Sequence, residues 1–311
     1  MENKLSVAII ILVYNGARWI EKCLDSVLAT DYSNYEIILV DNLSQDDSVK
    51  IVNNKYPQVK LIKNKKNYGF AEGNNIAMRY ALEANHDYIV LLNQDTTVQK
   101  NWLSDLVNAM EKNSRIGVLS PMQYDYDGIN LDRNFYNNVL KLYTSYEVDK
   151  ENNSLKSLYK VNEVIGASMM LRSALLRKIG LFDPLYFLYA EEYDLCRKAR
   201  YHNYTVGVIT TSKIYHWHSL IQTNGLSKRS RFILFKSRFL YALKNPERPF
   251  IKNFYNYYFK MGALSLAGGI KTMKNMKYLI RFIQVQLWIL CKLPIIALHQ
   301  YRDRNLKKIE G

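Results

Sequence analysis

The run LSVAIIILV (5–13), followed at once by Tyr14, Asn15 and Gly16, decides how the first half of the chain is read. It is an almost unbroken apolar stretch, which is the signature of a strand covered on both faces. Lys4 precedes it, but the run is short and lacks a small-residue cleavage pattern, so a buried strand is expected and not a secretory leader. Three further short apolar runs follow, EIILV (36–40), VKLI (59–62) and YIVLL (88–92). Between them, at about 17–29, 45–56 and 70–85, apolar residues recur at helical spacing. Strand–helix–strand alternation of this kind predicts an open α/β domain, with a mostly parallel sheet and helices on both faces. Ligands on such sheets bind outside the carboxyl ends of the strands.

Beyond the fourth strand, residues 121–160 are rich in Tyr, Asn and Asp and read as an irregular insertion or hairpin. Regular patterning resumes with EVIGASMMLR (163–172), read as a strand, and a short helix to Gly180. An acidic turn and helix are expected at about 190–203, then two short strands, TVGVI (205–209) and KIYHW (213–217).

Charge divides the chain in two. Residues 1–225 carry 25 Lys and Arg against 25 Asp and Glu, whereas residues 226–311 carry 18 against 3, so the whole net charge of +15 sits in the second part. The expected organisation is therefore a neutral body, 1–225, and a basic helical extension, 226–311. The segments RFILFKSRFLYALK, NFYNYYFK and MKYLIRFIQVQLWILCK mix Lys and Arg with bulky apolar residues. Basic amphipathic helices of this kind lie in an anionic membrane interface; packing on the body or on another subunit is the alternative. The stretch 279–298 is interrupted by Arg281, Gln284, Gln286, Lys292 and Pro294, which argues against an uninterrupted membrane span. Cys23, Cys196 and Cys291 lie far apart with no CxxC pair, which suits a reducing compartment and argues against a disulfide framework or zinc site.

The polar residues that follow each strand are the candidates for chemistry. Strand one ends in Val13, Tyr14 and Asn15, and strand two in Asp41 and Asn42, with Ser44, Asp46 and Asp47 behind. A carboxylate and an amide at strand ends can read a pyrimidine edge and a ribose hydroxyl, although the same residues are also favoured helix caps. Asn67, Gly69, Gly73 and Asn74 form a second polar turn. Strand four ends in LLNQDTTV (91–98), where Asn93, Gln94 and Asp95 face the expected crevice and Asp95 can hold a divalent cation. The cluster Glu191, Glu192 and Asp194 lies beside aromatic residues, a setting that can raise one carboxyl into the range of a general base. His216 and His218 share one face of the last strand of the body.

Taken in order, the blocks IIILVYNGARWIEKCLDSVLATDY, EIILVDNLSQDDS, NYGFAEGNN, LLNQDTTV, IGASMMLRSALLRKIGLFDPLYFLYAEEYDLCRKAR and IYHWHS resemble family 2 glycosyltransferases of GT-A fold. The likeness is greatest to bacterial rhamnosyl- and galactofuranosyl-transferase-like members, and it covers about residues 5–245. The resemblance implies a Rossmann-like α/β catalytic domain. It implies that Tyr14, Asn15, Asp41 and Asn42 contact the nucleotide, and that Asn67, Gly69 and Asn74 form the turn approaching the donor. It implies that Asp95 and His216 hold a divalent cation, Mg or Mn, and that Gly166 and Ala167 border a sugar pocket. Glu192 matches the catalytic base, with Glu191 and Asp194 lining the same site. Two departures stand out: Asn93 replaces the first acid of the DxD motif, and Glu192 stands where Asp is common, which leaves Glu191 and Glu192 as alternatives.

The expected reaction is inverting transfer of a sugar from a dTDP- or UDP-sugar to a lipid-linked or polysaccharide acceptor. Rhamnose is the first donor to test and a UDP-hexose the next. The expected place is cytoplasmic, peripheral on the inner face of the plasma membrane, with a homodimer allowed by the family. A non-catalytic nucleotide-sugar-binding protein and a nucleic-acid-binding protein using the basic tail are the rival readings. The second leaves the acidic cluster and His216 unexplained, so no nucleic-acid partner is expected.

Overall fold

The buried run at the start of the chain becomes the strand β1 (Val7–Val13), and its two faces feed two separate apolar layers. In this computed structural model, which describes residues 5–217, 228–256 and 276–306, Ala8 and Ile10 of β1 meet Ala77, Met78 and Ala81 of helix α3 (Gly69–Glu83). Val7, Ile9, Ile11 and Val13 point the other way, toward Ile20, Cys23, Leu24 and Val27 of α1 (Ile20–Leu28) and Trp102 and Leu106 of α4 (Trp102–Glu111). Alternation of side chains along a strand is what permits one strand to serve both layers.

The sheet continues through β2 (Tyr35–Asp41), β3 (Lys60–Lys63), β4 (Tyr88–Asn93), β5 (Thr96–Val98), β6 (Ile116–Asp125), β7 (Leu158–Lys160), β8 (Ser168–Arg172) and β9 (Thr205–His216). Among the described residues its order is β3-β2-β1-β4-β8-β6-β9-β5, with β7 paired to β9. The strands β1, β2, β3, β4, β6 and β9 run in one direction, and β5, β7 and β8 run against them. The carboxyl ends of β1, β2, β4, β6 and β9 therefore share one edge, and β4 lies in the interior of the sheet. The helices α2 (Ser48–Lys55), α7 (Ser173–Ile179) and α8 (Glu191–Tyr201) complete the layers.

Three expectations are corrected. The stretch 121–160 is not simply irregular. Its first residues complete β6, an interior strand, and the rest forms the short helix α5 (Arg133–Phe135), a π-helical turn (Tyr136–Leu140), α6 (Thr144–Glu151) and β7. Ser120, Pro121 and Gln123 disguise the strand. All three are buried, and Pro121 sits at a shift in the β6–β9 register, where a missing N–H is tolerated. The segments 205–209 and 213–217 are not two strands; β9 is continuous, and the polar Thr210–Ser212 step is a bulge within it. The strand expected from residue 163 begins only at Ser168, because residues 161–167 are a turn laid across the end of β4.

The basic extension supplies α9 (Lys228–Leu243), α10 (Phe250–Phe254) and α11 (Met276–Asn305). Phe239, Leu240 and Leu243 of α9 and Val285, Ile289 and Ile296 of α11 join the same apolar layer as Leu195, Cys196 and Ala199 of α8. The segment NFYNYYFK lies partly, and His218 entirely, outside the described residues. By length and composition, residues Ile283–Asn305 of α11 could cross a membrane, with a mean hydropathy of 1.2. Ile283, Leu287, Leu290, Ile295, Leu298 and Tyr301 are exposed on it.

Candidate active site

The loops after β1 and β2 are laced together at the carboxyl edge. Asn15 takes the left-handed conformation (φ 51°), one that Asn tolerates better than most residues. Its N–H donates to Ser44 Oγ at 3.0 Å, and its side-chain oxygen accepts from the Gln45 N–H at 2.8 Å. Gly16 donates to Ser48 Oγ at 2.8 Å and Ala17 to Asp46 at 2.9 Å. A side chain at position 16 would collide with the Gln94 amide, which bridges back to Tyr14 by accepting from its N–H at 3.0 Å and donating to its carbonyl at 3.2 Å. The Tyr14 backbone is thereby fixed while its ring stays 47% exposed, a flat face available for stacking. The carbonyl of Val13 accepts from the Asn42 N–H at 2.7 Å. Asp41 is buried at the end of β2 and accepts from the Ser44 N–H at 3.1 Å.

Asn42 does something other than contact a base. Its side-chain NH2 donates to Asn67 Oδ1 at 2.9 Å and to the Gly69 carbonyl at 3.1 Å. Its oxygen accepts from Asn64 Nδ2 at 3.1 Å and from the Tyr68 N–H at 3.0 Å. Two donors and two lone pairs are the whole capacity of an amide, so Asn42 knits the 64–69 turn and leaves no edge for a ligand. Asn74 is likewise inside α3, buried, and bonds back to the Phe70 carbonyl at 2.9 Å. Asn67 caps the turn by accepting from the Gly69 N–H at 2.8 Å. Gly69 is required there: its φ is +76°, and a Cβ would run into the Phe187 carbonyl, which accepts from the Phe70 N–H at 2.7 Å. That contact draws residues 187–190, the approach to α8, onto the start of α3.

At the end of β4 the Asn93 N–H donates to the Ala167 carbonyl at 2.9 Å, and Gly166 lies against the Phe70 ring. The chain then reverses into β5, whose antiparallel pairing with β9 sets Thr96 opposite His216. That register brings Asp95 beside the histidine, with Asp95 Oδ1 3.4 Å from His216 Nε2. The Trp217 N–H donates to the Asp95 carbonyl at 2.9 Å and fixes the pair. On the far side of the ring, Asp132 Oδ2 is 3.3 Å from His216 Nδ1. Burial alone would push the imidazole pKa down, but Asp132 and Asp95 on either side raise it to about 9.

Helix α8 begins at the acidic cluster, and the two residues before Glu192's neighbour are unusual. Tyr189 (φ 70°) and Ala190 (φ 67°) are both left-handed without being glycine, a strain held only where surrounding contacts over-determine it. Glu191 follows, buried, and Glu192 is half-buried beside it. Burial first, and then the Glu192 charge, raise the Glu191 carboxyl well above its ordinary value. Burial also raises Glu192, to about 7, with nearby Glu163 adding to the effect. Glu163 opens the same 163–167 turn that covers the end of β4, so the turn connects the acidic pair to the Asp95–His216 edge.

Asp194 is corrected. It is buried, and its oxygens are engaged 2.6 Å from Arg197 and 2.6 Å from Lys244. Lys244 also reaches Asp183 at 2.7 Å, and His299 of α11 reaches the same Asp183 carboxylate at 2.8 Å. Asp194 thus ties α8 to α9 and does not share the environment of Glu191 and Glu192. Among the described residues no group of three or more metal-ligating side chains converges.

A family model described as Glycosyl transferase family 2 matches residues 8–180, more than half of the chain. The chain belongs to the family 2 glycosyltransferases. This glycosyltransferase is 26% identical over 211 residues to the low-salt glycan biosynthesis hexosyltransferase Agl10 of Haloferax volcanii, covering 66% of each chain. It is 28% identical over 190 residues to an uncharacterized glycosyltransferase of Rickettsia prowazekii, covering 61% of this chain and 57% of the relative. The match therefore spans about two thirds or less of the length of these relatives. Among solved structures it is similar to residues 1–349 of S. aureus TarS in complex with UDP, with a TM-score of 0.57 and 17% identity, covering 97% of this chain and 89% of that one. It is also similar to GalNAc-T7 with UDP, GalNAc and Mn2+, with a TM-score of 0.58 and 17% identity, covering 88% and 58%. These likenesses are of fold, and they identify the α/β sheet as GT-A.

Two groups of this glycosyltransferase escaped the reading of its sequence. Asp132 sits in the stretch taken for an irregular insertion, and Asp183 and Lys244 are far apart in sequence. No local spacing links either to its partner.

Proposed function

We propose that this chain is an inverting, metal-dependent glycosyltransferase that moves a sugar from a dTDP- or UDP-sugar to a lipid-linked or polysaccharide acceptor. The pair of Glu191, buried, and Glu192, half-buried beside it, carries the reading, since burial raises both carboxyls. It sits at the start of α8 and is joined through the 163–167 turn to the Asp95–His216 edge. A carboxyl raised to about 7 is matched to taking a proton from an acceptor hydroxyl near neutral pH. Attack by that hydroxyl on the anomeric carbon, opposite the departing diphosphate, inverts the centre. Asp41, Tyr14 and Asn15 are the candidates for nucleotide contacts, and Gly166, Ala167, Asn93 and Gln94 border the space for the sugar.

Asp95 and His216 fit a divalent cation. A carboxylate oxygen and an imidazole nitrogen 3.4 Å apart are close enough to share one ion, and this oxygen–nitrogen set with diphosphate oxygens suits Mn or Mg. Bound there, such a cation supplies charge stabilisation to the leaving nucleoside diphosphate. A structure of the same fold carrying UDP and Mn2+ supports this reading.

Residues 1–225 form the catalytic body in this reading, and 226–311 an arm docked on it. The exposed apolar face of α11 and the net charge of +15 in residues 226–311 support peripheral attachment to the inner face of the plasma membrane. Each Lys or Arg near an anionic surface contributes about 1 kcal/mol. Attachment along the surface suits α11 better than a span. Gln300 donates to the Asn245 and Arg248 carbonyls within the arm, and His299 pairs with Asp183 of the body, so its last turns are held in place.

The test is nucleoside-diphosphate release from a panel of dTDP- and UDP-sugars, with dTDP-rhamnose first, in the presence of membrane extract. Release from one donor that is abolished by a chelator and restored by Mn supports the proposal. Release that persists undiminished in chelator overturns its metal-dependent part.

A further inference from the structure

The turn after β6 brings a carboxylate to the face of His216 that points away from Asp95. Beyond Asp125 the chain folds back on itself: the Gly128 N–H donates to the Asp125 carbonyl at 2.9 Å, and the Asp125 N–H donates to the Asn130 carbonyl at 2.8 Å. Leu131 bridges to Tyr124, and the Asp132 N–H donates to the Gln123 carbonyl at 2.9 Å. Asp132 is 1% exposed. One of its oxygens, Oδ1, accepts from the Phe135 N–H at 2.8 Å and so caps α5. Phe135 of α5 and Val139 and Leu140 of the π-helical turn after it are fully buried and anchor the segment. With Oδ1 committed to the cap, the carboxylate plane is fixed and Oδ2 is directed to His216 Nδ1 at 3.3 Å.

A neutral imidazole carries one proton on one of its two nitrogens, and the partner of the other nitrogen decides which. A carboxylate is an acceptor only. Asp132 faces Nδ1 and Asp95 faces Nε2, so each nitrogen has a carboxylate acceptor. A cation shared by Asp95 and Nε2 would take the place of the Nε2 proton, and Asp132 would keep the other proton on Nδ1. Carboxylate–histidine–metal chains of this type orient the ring and raise the basicity of the ligating nitrogen.

We propose that Asp132 is a positioning residue that holds His216 with Nδ1 protonated and presents its Nε2 lone pair, together with Asp95, to the divalent cation. This rests on the reading of Asp95 and His216 as the cation site. The insertion between β6 and β8 is then part of the metal-binding apparatus and not a peripheral elaboration.

The discriminating variant is Asp132→Asn. An asparagine oxygen caps a helix about as well as an aspartate, so α5 is retained. Its NH2 then faces Nδ1, where it demands an acceptor and drives the proton to Nε2. Mn2+ binding to the full chain is measured by titration calorimetry or by the electron paramagnetic resonance signal of free Mn2+, with UDP present. The 15N shifts of the His216 ring report its tautomer. Asp132→Asn is expected to weaken Mn2+ binding by roughly 10–100-fold and to move the ring proton to Nε2. UDP binding in chelator and the thermal midpoint should stay close to those of the unaltered protein. Asp132→Glu should recover part of the loss. Mn2+ affinity within twofold of the unaltered protein in Asp132→Asn, while His216→Ala loses it, overturns the role of Asp132 alone. Unchanged affinity in His216→Ala as well overturns the cation site itself and the proposal with it.

Discussion

Lys244, immediately after α9, places its ammonium 2.6 Å from Asp194 on α8, although 50 residues separate them in the chain. The same ammonium lies 2.7 Å from Asp183 and 3.9 Å from Asp303, and all four side chains are nearly sealed from solvent. Burial works against the charge of Asp183, but His299 and Lys244 outweigh it and hold that carboxyl far below the usual range. Lys244 is held correspondingly above its ordinary value by Asp194, Asp183 and Asp303, against the effect of burial. Glu191 and Glu192 start the helix that this cluster anchors, so the basic arm and the acidic pair belong to one packed unit.

Lys244→Met removes the cation that Asp194, Asp183 and Asp303 share. Breaking a buried ion pair from one side costs about 3–5 kcal/mol, and denaturant unfolding should show a loss of that order. A loss under about 1 kcal/mol would mean that Arg197, Lys198 and His299 compensate. Hydrogen exchange in α9 should rise together with the loss of stability.

Glu192→Gln keeps the volume of the side chain and removes the proposed base. Turnover is expected to fall by roughly 10²–10⁴-fold, with donor affinity within a few-fold of the unaltered enzyme. The same change should raise the thermal midpoint, because it removes a carboxyl that burial makes costly to ionise. A variant that is both inactive and less stable would point to a structural role for Glu192.

The pH dependence has a definite sign. The unfolded chain releases the Glu192 proton near 4.5, whereas the folded chain holds it to about 7. Stability from this group is therefore full below about pH 4.5 and is lost as pH rises through 7. Catalysis runs the other way, since the base must be ionised. The value of kcat/KM should climb with pH along a limb centred near 7, reporting the Glu191–Glu192 pair as a unit. A flat profile between pH 6 and 8 would remove the pair from the rate-determining proton transfer.

Gly69→Ala tests the link between the 64–69 turn and α8. The new methyl group needs a left-handed backbone and meets the Phe187 carbonyl, so the 187–190 approach must shift. Strain of this kind costs about 1–3 kcal/mol. A drop in kcat larger than the change in donor affinity would show that the displacement reaches Glu191 and Glu192. Equal changes in both would confine the damage to the 64–69 turn.

What the sequence determined by itself is local and periodic. The apolar run of β1, the helical spacing of 70–85 and the polar residues ending each strand dictate an α/β sheet with its chemistry on one edge. They do so because burial on two faces and a 3.6-residue repeat are written in neighbouring residues. The position of Asp95 at the end of a strand was legible in this way, whereas the GT-A fold and the family were legible through the resemblance of six ordered sequence blocks to family 2 glycosyltransferases. Tertiary structure decided whatever depends on a partner distant in the chain. It gave the amide of Asn42 to the 64–69 turn, gave Asp194 to Lys244, and turned a Tyr- and Asn-rich insertion into the source of the carboxylate facing His216. Hydrogen bonds and ion pairs are made by proximity in space, and a residue type at one position does not state which of several acceptors will be within 3 Å of it.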